Sequence, residues 1–329
     1  MNNLIHHKLD SPELIYSWKS LLSYYSLEKI HQAFDSYQFA CLRDNTNFSL
    51  IERQIESLLN VDVRGHQFYP NFKYSMTVPF HPNDFPNYCF RIRKITKRCI
   101  FDVTSKGPDF ETMEFEEMQT DQDAWERPAN LVTTYQRLNK PNESVLYTSL
   151  MSSTAVLETD LQEKDMFFLI VYKNKKAFRL SDCCKFLYFD ELTEEENMKR
   201  YILFSFLRNE FIRILPGAYD EGIQYCSSYN ISRKFFIDTE QEVAGIQFPS
   251  TRGLGHRNVA FWGNCRDNLA LHGLRLCRLS KRQGTQSGID ILADCFWNDE
   301  TKRYMYVSPS SEKSKQIFGD PYLSVMMFK

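Results

Sequence analysis

Residues whose types could do chemistry are spread along this chain and do not form one compact motif. Arg91 and Arg93 lie two positions apart, and Tyr147, Glu158 and Ser250 each lie in or directly after a short apolar segment. A guanidinium binds phosphate through two parallel hydrogen bonds, and a carboxylate stabilises a developing cation. No P-loop, dinucleotide fingerprint, HExxH motif or nucleophile elbow occurs. The residues therefore predict a dispersed site, and the arginine pair suits phosphate.

Each of these residues also has an ordinary structural explanation. Arg91 and Arg93 could be the solvated face of an edge strand, where charged residues often alternate with apolar ones. Glu158 could be a surface carboxylate, Tyr147 a core residue, and Ser250 a turn residue that follows a proline. The residue types alone leave both explanations open.

The loop after Ser250 carries three more cationic or titratable side chains. Arg252, His256 and Arg257 either form a second anion-binding patch or only increase solubility. Taken by itself, the sequence offers little support for His256 as a general base.

Two segments are expected to position the candidate residues, and the first covers residues 134–158. Its apolar run 145–147 predicts a strand, and Ser152 and Ser153 predict the cap of a helix that ends with Glu158. A strand that leads into a helix directs side chains from both elements into one cleft.

The second segment covers residues 244–262 and predicts a hairpin. A strand over 245–250 is ended by a proline, a glycine-rich loop follows, and a second strand occupies 258–262. This arrangement places Ser250 at the rim of the hairpin. Between the two segments, the apolar run 166–172 predicts a strand that is buried on both faces in the middle of the sheet.

The N-terminal region predicts helices. Residues 11–13 have the pattern of a helix start, and the helix is expected to run to about Ala33. Residues 45–47 begin a second helix, so residues 1 to about 62 are expected to form a helical hairpin. The acidic stretch 106–128 has no paired carboxylate spacing and is interpreted as a surface loop.

The C-terminal half predicts a long helix followed by strands. An amphipathic helix begins at Thr193, and another helical stretch falls within 219–237. The last sixty residues predict a hairpin and a final strand. The hairpin strands and the final strand are expected at 289–297, 303–308 and 322–328.

Composition limits the function classes. The 329 residues are 43% hydrophobic and 15% aromatic, which is enough for a large core. The net charge of −2 gives no general positive field for nucleic acid or an anionic membrane. The nine cysteines include no CxxC pair, no apolar run is long enough for a bilayer, and no signal peptide is recognised. We expect a cytoplasmic protein with reduced cysteines, no metal site and no membrane or strong nucleic-acid partner.

Five short segments occur in order between about residues 88 and 275. They are Phe90-Arg91-Ile92, Tyr135-Gln136-Arg137-Leu138-Asn139, Val145-Leu146-Tyr147-Thr148, Thr154-Ala155-Val156-Leu157-Glu158, and Gly245-Ile246-Gln247-Phe248-Pro249-Ser250 followed by Asn258. Together they resemble the RES domain, a family named for Arg, Glu and Ser. The family usually has an aromatic residue where this chain has Leu138, and the N-terminal helices and the C-terminal hairpin lie outside the matched region.

The resemblance implies an α+β fold like that of the ADP-ribosyltransferases, with a split β-sheet around an NAD cleft. It implies a bacterial toxin that consumes NAD and is held inactive by a cognate antitoxin. Carried over by position, Arg91 would hold the NAD phosphates, with Arg93 as an alternative clamp on the same strand. Arg137, Asn139 and Asn258 would complete the NAD-binding set.

The same resemblance implies the catalytic roles. Glu158 would hydrogen-bond a ribose hydroxyl, Tyr147 would stack on the nicotinamide or its ribose, and Ser250 would orient the nicotinamide side, with Arg91 as the fourth member. Cleavage of the nicotinamide–ribose bond develops an oxocarbenium-like charge, which a nearby carboxylate stabilises. Water as acceptor would give hydrolysis, and phosphate would give phosphorolysis.

Two alternatives to NAD cleavage stay open: ADP-ribosylation of a protein or nucleic acid, and a non-catalytic protein that only binds the nucleotide. For the domains we expect a helical extension and linker over residues 1–84 and a RES-like catalytic domain over 85–275. A β-hairpin and strand extension over 276–329 is expected to pack on that domain.

Overall fold

The chain divides into two compact units, each assembled from separate stretches of sequence. The computed structural model describes residues 5–8, 12–32, 34–35, 61–63, 66–68, 72–73, 75–78, 87–96, 103–104, 107–108, 110, 113–212, 225, 228–237, 242–253, 255–283, 286–321, 323 and 327. Unit 1 comprises Met1–Met76, Val132–Glu143 and Ser181–Val243, and unit 2 comprises Thr77–Leu131, Ser144–Leu180 and Ala244–Lys329. The predicted domain boundaries at residues 84/85 and 275/276 stay a prediction.

The described part of the chain contains sixteen strands and four α-helices. The strands are β1 Ile5–His7, β2 Val61–Val63, β3 His66–Phe68, β4 Ser75–Val78, β5 Tyr88–Lys94, β6 Val103–Thr104, β7 Gly107–Pro108, β8 Val145–Ser149, β9 Met166–Asn174, β10 Phe178–Asp182, β11 Leu187–Phe189, β12 Gly245–Pro249, β13 Arg257–Trp262, β14 Leu269–Gln283, β15 Gln286–Asn298 and β16 Arg303–Val307. The helices are α1 Pro12–Tyr24, α2 Ser152–Glu158, α3 Glu194–Ile212 and α4 Glu312–Phe318.

Ten strands form one sheet in the order β16-β15-β14-β9-β5-β8-β13-β12-β10-β4. The strands from β16 through β12 in this order belong entirely to unit 2 and pair antiparallel with their neighbours. The expectation of an α+β protein is therefore confirmed at the level of a large, mostly antiparallel sheet with helices. The predicted ADP-ribosyltransferase-like arrangement within that class stays a prediction.

Several predicted elements are confirmed. The apolar run 166–172 lies within β9, between β14 and β5, and Phe167 to Tyr172 are fully buried. The hairpin around the glycine-rich loop is β12 paired with β13, and the C-terminal hairpin is β15 paired with β16. Helix α3 begins after Thr193, whose hydroxyl accepts a hydrogen bond of 3.2 Å from the Glu196 amide, while the Glu196 carboxylate accepts one of 2.7 Å from the Thr193 amide.

The N-terminal helix is shorter than predicted. Helix α1 ends at Tyr24, and a second helical stretch covers residues 27–32. The Ser26 hydroxyl accepts a hydrogen bond of 3.2 Å from the Lys29 amide, so Ser26 caps this second stretch. Strand β2 begins at the end of the region predicted to be helical, and the helix predicted from residues 45–47 lies outside the described residues.

Further predictions are wrong in detail. Helix α2 begins at Ser152 and its N-cap is Met151, so the two serines are not the cap. In the acidic stretch, Phe115, Met118 and Trp125 are buried, because the segment covers one face of the sheet. Near the C-terminus, α4 replaces a predicted loop. Where a final strand was predicted, the Met327 amide donates to the Leu323 carbonyl at 3.0 Å, which is helical spacing.

None of the helices in the described part of the chain combines the length and the hydrophobicity needed to cross a bilayer.

Candidate functional site

Helix α2 is held against one face of the sheet by its apolar side. Ala155 and Val156 belong to a buried cluster that also contains Phe90 of β5 and Val171 of β9. We call this side of the sheet the α2 face. The packing leaves Glu158, the last residue of the helix, half-buried at the end of the apolar patch.

Glu158 is connected to the sheet by a chain of two hydrogen bonds. Asn258 Nδ2 donates to Glu158 Oε1 at 2.7 Å, and Ser149 Oγ donates to Asn258 Oδ1 at 2.7 Å. Ser149 and Asn258 are directly opposite each other on β8 and β13, and both are buried. Because the serine hydroxyl occupies the amide oxygen, the amide nitrogen is turned toward the carboxylate. One oxygen of Glu158 is thus fixed, and Oε2 has no hydrogen-bond partner among the described residues.

A second contact joins the same helix to the loop before β13. Thr154 Oγ1 lies 2.6 Å from His256 Nδ1, and Thr154 is fully buried. The Ser250 amide donates to the His256 carbonyl at 2.9 Å, which extends the β12–β13 ladder by one residue and brings Ser250 beside His256. The Ser250 hydroxyl accepts a hydrogen bond of 3.0 Å from the Arg252 amide. Ser250 therefore lies at the rim of the hairpin, as predicted.

The loop backbone at Gly253 lies directly against the imidazole of His256. A Cβ atom at Gly253 would be 2.9 Å from His256 Cδ2, which is closer than real Cβ contacts. A side chain at this position would therefore displace the ring. The glycine allows the loop to close over the histidine.

Tyr147 shares the α2 face with this group. It precedes Ser149 by two residues on β8 and is opposite Ala260 on β13, and alternate residues of a strand point to the same side. Its side chain is half-buried. The structure thus brings Tyr147, Glu158, Asn258 and Ser250 to one side of the sheet, together with Ser149, Thr154 and His256.

Arg91 and Arg93 lie on the opposite side. Phe90 of β5 packs against α2. Because side chains alternate along a strand, Arg91 and Arg93 point away from α2. Residues 113–131, which we call the covering segment, lie over this side of the sheet. We call this side of the sheet the segment face. Arg91 Nη1 donates to the Trp125 carbonyl, and Arg93 Nη1 donates to the Asp123 carbonyl and lies 3.4 Å from Asp123 Oδ1.

The segment face has other donors to the same stretch of backbone. The Tyr172 hydroxyl donates to the Ala124 carbonyl, so three successive carbonyls, of residues 123 to 125, accept hydrogen bonds from the sheet. Burial raises the pKa of Tyr172, and burial also raises the pKa of Cys89 to about 12. Arg266 pairs with Asp121 at the outer edge. These contacts attach the covering segment to the sheet.

A cavity of about 210 Å³ also lies beside the covering segment. Phe115, Met118, Tyr304 and Tyr306 form part of its wall. None of the residues predicted from the sequence to act in the site lines this cavity.

Arg137 and Asn139 belong to unit 1. Arg137 Nη1 donates to the Phe211 carbonyl, and its guanidinium lies over the rings of Tyr225 and Phe211 at 5.5 Å and 5.9 Å. Asn139 is buried, and its Nδ2 donates to the Glu143 carbonyl at 3.1 Å. The partners Phe211, Tyr225 and Glu143 also belong to unit 1. Their predicted NAD-binding roles stay predictions.

No group of three or more His, Cys, Asp and Glu side chains is arranged to hold a metal ion among the described residues. The α2 face presents a half-buried carboxylate, an imidazole, hydroxyls and an amide. These groups can orient a sugar hydroxyl, stabilise a cation and accept a proton.

Sequence reasoning did not assign Ser149, Thr154 or His256 to the site. For Ser149 and Thr154, the sequence contained a usable signal, which was the spacing from a predicted site residue. Ser149 is two residues after Tyr147 on a predicted strand, and Thr154 is four residues before Glu158 on a predicted helix, so each shares a face with a predicted site residue. The partner of His256 could not be found in this way, because it depends on a tertiary contact.

Comparison with known proteins identifies no similar protein. No family model, curated protein or solved structure matches this chain. The resemblance to the RES domain accordingly stays a prediction that depends on the five sequence segments.

Proposed function

We propose that this protein is an NAD-consuming enzyme that cleaves the nicotinamide–ribose bond, with water or phosphate as the acceptor, on a fold related to the ADP-ribosyltransferases. We further propose that it acts in the cytoplasm as the toxin of a toxin–antitoxin or defence pair. The observation that carries the enzymatic part is the orientation of Glu158 by Asn258 and Ser149.

A carboxylate held in this way suits the proposed reaction. The bond from Asn258 fixes Oε1 and leaves Oε2 for a ribose hydroxyl, and the negative charge lies where an oxocarbenium-like ribose would develop positive charge. Tyr147, half-buried on the same face, offers an aromatic surface for stacking. Fixing a catalytic group in advance avoids reorganisation during the reaction.

The phosphate clamp differs from the one that the sequence resemblance implies. Arg91 and Arg93 donate to carbonyls of the covering segment on the other side of the sheet. Arg252, in contrast, is exposed on the loop beside Ser250 and has no ion pair among the described residues. In this proposal Arg252 supplies positive charge for the NAD phosphates.

The test is nicotinamide release from NAD by the purified protein, with and without phosphate. We expect release by the unmodified chain and a loss of at least about 100-fold in Glu158→Gln, which keeps the size but removes the charge. Glu163→Gln, at an exposed carboxylate five residues later, is the matched control and should keep full activity.

Other outcomes separate the alternatives. Radiolabelled ADP-ribose that stays on a protein or nucleic acid would indicate transfer to a macromolecule instead of NAD cleavage. Saturable NAD binding without nicotinamide release would indicate a binding protein. Equal turnover in Glu158→Gln and the unmodified chain would remove Glu158 from the site.

A further inference from the structure

Two hydrogen bonds join helix α2 to the start of strand β13, and the spacing of their residues is similar on the two elements. Thr154 and Glu158 are four residues apart on α2, a rise of about 6 Å. Their partners His256 and Asn258 are two residues apart where the chain enters β13, a distance of about 7 Å. Because the two spacings agree, both contacts form together, and the imidazole is held about one helical turn from the carboxylate.

The contact with Thr154 determines which nitrogen of His256 is available. When Nδ1 carries the proton and donates to Thr154 Oγ1, Nε2 presents its lone pair. No hydrogen-bond partner of Nε2 occurs among the described residues. The ring is half-exposed and is held in place by the loop backbone at Gly253. In this tautomer His256 has an oriented ring and a basic Nε2, and its ring is held by the same helix that carries Glu158.

We propose that His256 is the general base that activates water for attack on the ribose, a role that rests on the proposed NAD cleavage. Water oxygen forms a bond to ribose C1′ while the C1′–nitrogen bond breaks, and that electron pair leaves with nicotinamide. The water proton passes to His256 Nε2 and then to solvent, so NAD and water give ADP-ribose, nicotinamide and a proton. Glu158 stabilises the positive charge on the ribose during the step.

The separation of the two groups suits this division of roles. The rise of about 6 Å between Thr154 and Glu158 separates the two points on α2 that hold the imidazole and the carboxylate, so the two groups are held apart and do not share one position. An acceptor that is already anionic, such as phosphate or azide, needs no base. The role therefore makes hydrolysis, and not phosphorolysis, dependent on His256.

The experiment measures hydrolysis of NAD by His256→Ala, with and without azide. We expect hydrolysis to fall by about 10²- to 10⁴-fold, the usual contribution of a general base, while azide restores nicotinamide release and yields ADP-ribosyl azide. Glu158→Gln should not be rescued, because its defect is in stabilising the cation. Thr154→Val should lower hydrolysis less, since the ring keeps its position against Gly253 but loses its hydrogen bond.

Lys176→Ala is the control, because this exposed basic residue lies in the turn between β9 and β10 and belongs to neither α2 nor the β12–β13 hairpin. Its hydrolysis rate should equal that of the unmodified chain. Unchanged hydrolysis in His256→Ala, or a loss that azide does not restore in a variant with a native melting temperature, would overturn the role of His256. Absence of nicotinamide release by the unmodified chain would instead contradict the proposed function itself.

Discussion

The two faces of the sheet in unit 2 use polar side chains in different ways. On the segment face, Arg91, Arg93 and Tyr172 all donate to backbone carbonyls of residues 123 to 125. On the α2 face, Glu158, Asn258 and Ser149 bond to one another through side chains. The first pattern attaches a segment of backbone to the sheet, while the second orients side-chain atoms beside a surface that is partly open.

This difference shows that residue type does not by itself identify a ligand site. Arginine is the side chain best suited to bind phosphate, yet a guanidinium bonded to the chain's own carbonyls has fewer donors left for a ligand. A glutamate on a short helix is ordinarily a surface residue, yet Glu158 is oriented by a buried amide. The proposed function therefore uses the α2 face for catalysis, while the contacts of Arg91 and Arg93 attach the covering segment.

Asn258→Ala should produce the largest effect of the variants that test this comparison. Without the amide, Glu158 is free to rotate, and nicotinamide release should fall by about 100-fold, the scale expected for a misplaced catalytic group. The control is Asn197→Ala, a buried asparagine whose Nδ2 donates to the Phe189 carbonyl at 2.8 Å. Measured per folded molecule, its turnover should be unchanged. Equal losses in the two variants would contradict the specific role of Asn258.

Arg91→Ala should lower stability and not turnover. The Trp125 carbonyl loses a hydrogen bond from a charged donor, so the free energy of unfolding in denaturant should fall by about 1.5–3 kcal/mol. Nicotinamide release per folded molecule should stay unchanged. The RES resemblance predicts the opposite, a loss of turnover in a stable protein. That outcome would move phosphate binding back to the segment face.

Tyr172→Phe should produce the smallest effect. It removes one hydroxyl donor to the Ala124 carbonyl and should cost about 1 kcal/mol of unfolding free energy. Hydrogen exchange should become faster at residues 123 to 126, where the covering segment is attached, with no change in NAD turnover. Unchanged exchange there would show that Arg91 and Arg93 are sufficient to hold the segment.

Many elements of the fold were predictable because their signals are local. The uninterrupted apolar run of β9 predicted a strand buried on both faces, and the Pro and Gly residues around Ser250 predicted the β12–β13 hairpin. The wrong predictions arose where tertiary packing competed with local pattern. Residues 113–131 are rich in acidic side chains, yet Phe115 and Trp125 are buried because the segment covers the sheet.

For the site, the sequence by itself determined the residue types and the face that each occupies on its own element. The alternation in β8 and the helical spacing in α2 follow from local geometry, so Tyr147 and Ser149 share a side, as do Thr154 and Glu158. Only the tertiary structure decided which face of the sheet packs against α2. The pairing of β5 with β8 and the packing of α2 on Phe90 turn Arg91 away from Glu158. The contacts of Asn258 and His256 span 100 and 102 residues of sequence, and no local pattern specifies them, because they depend on how strands and helix pack.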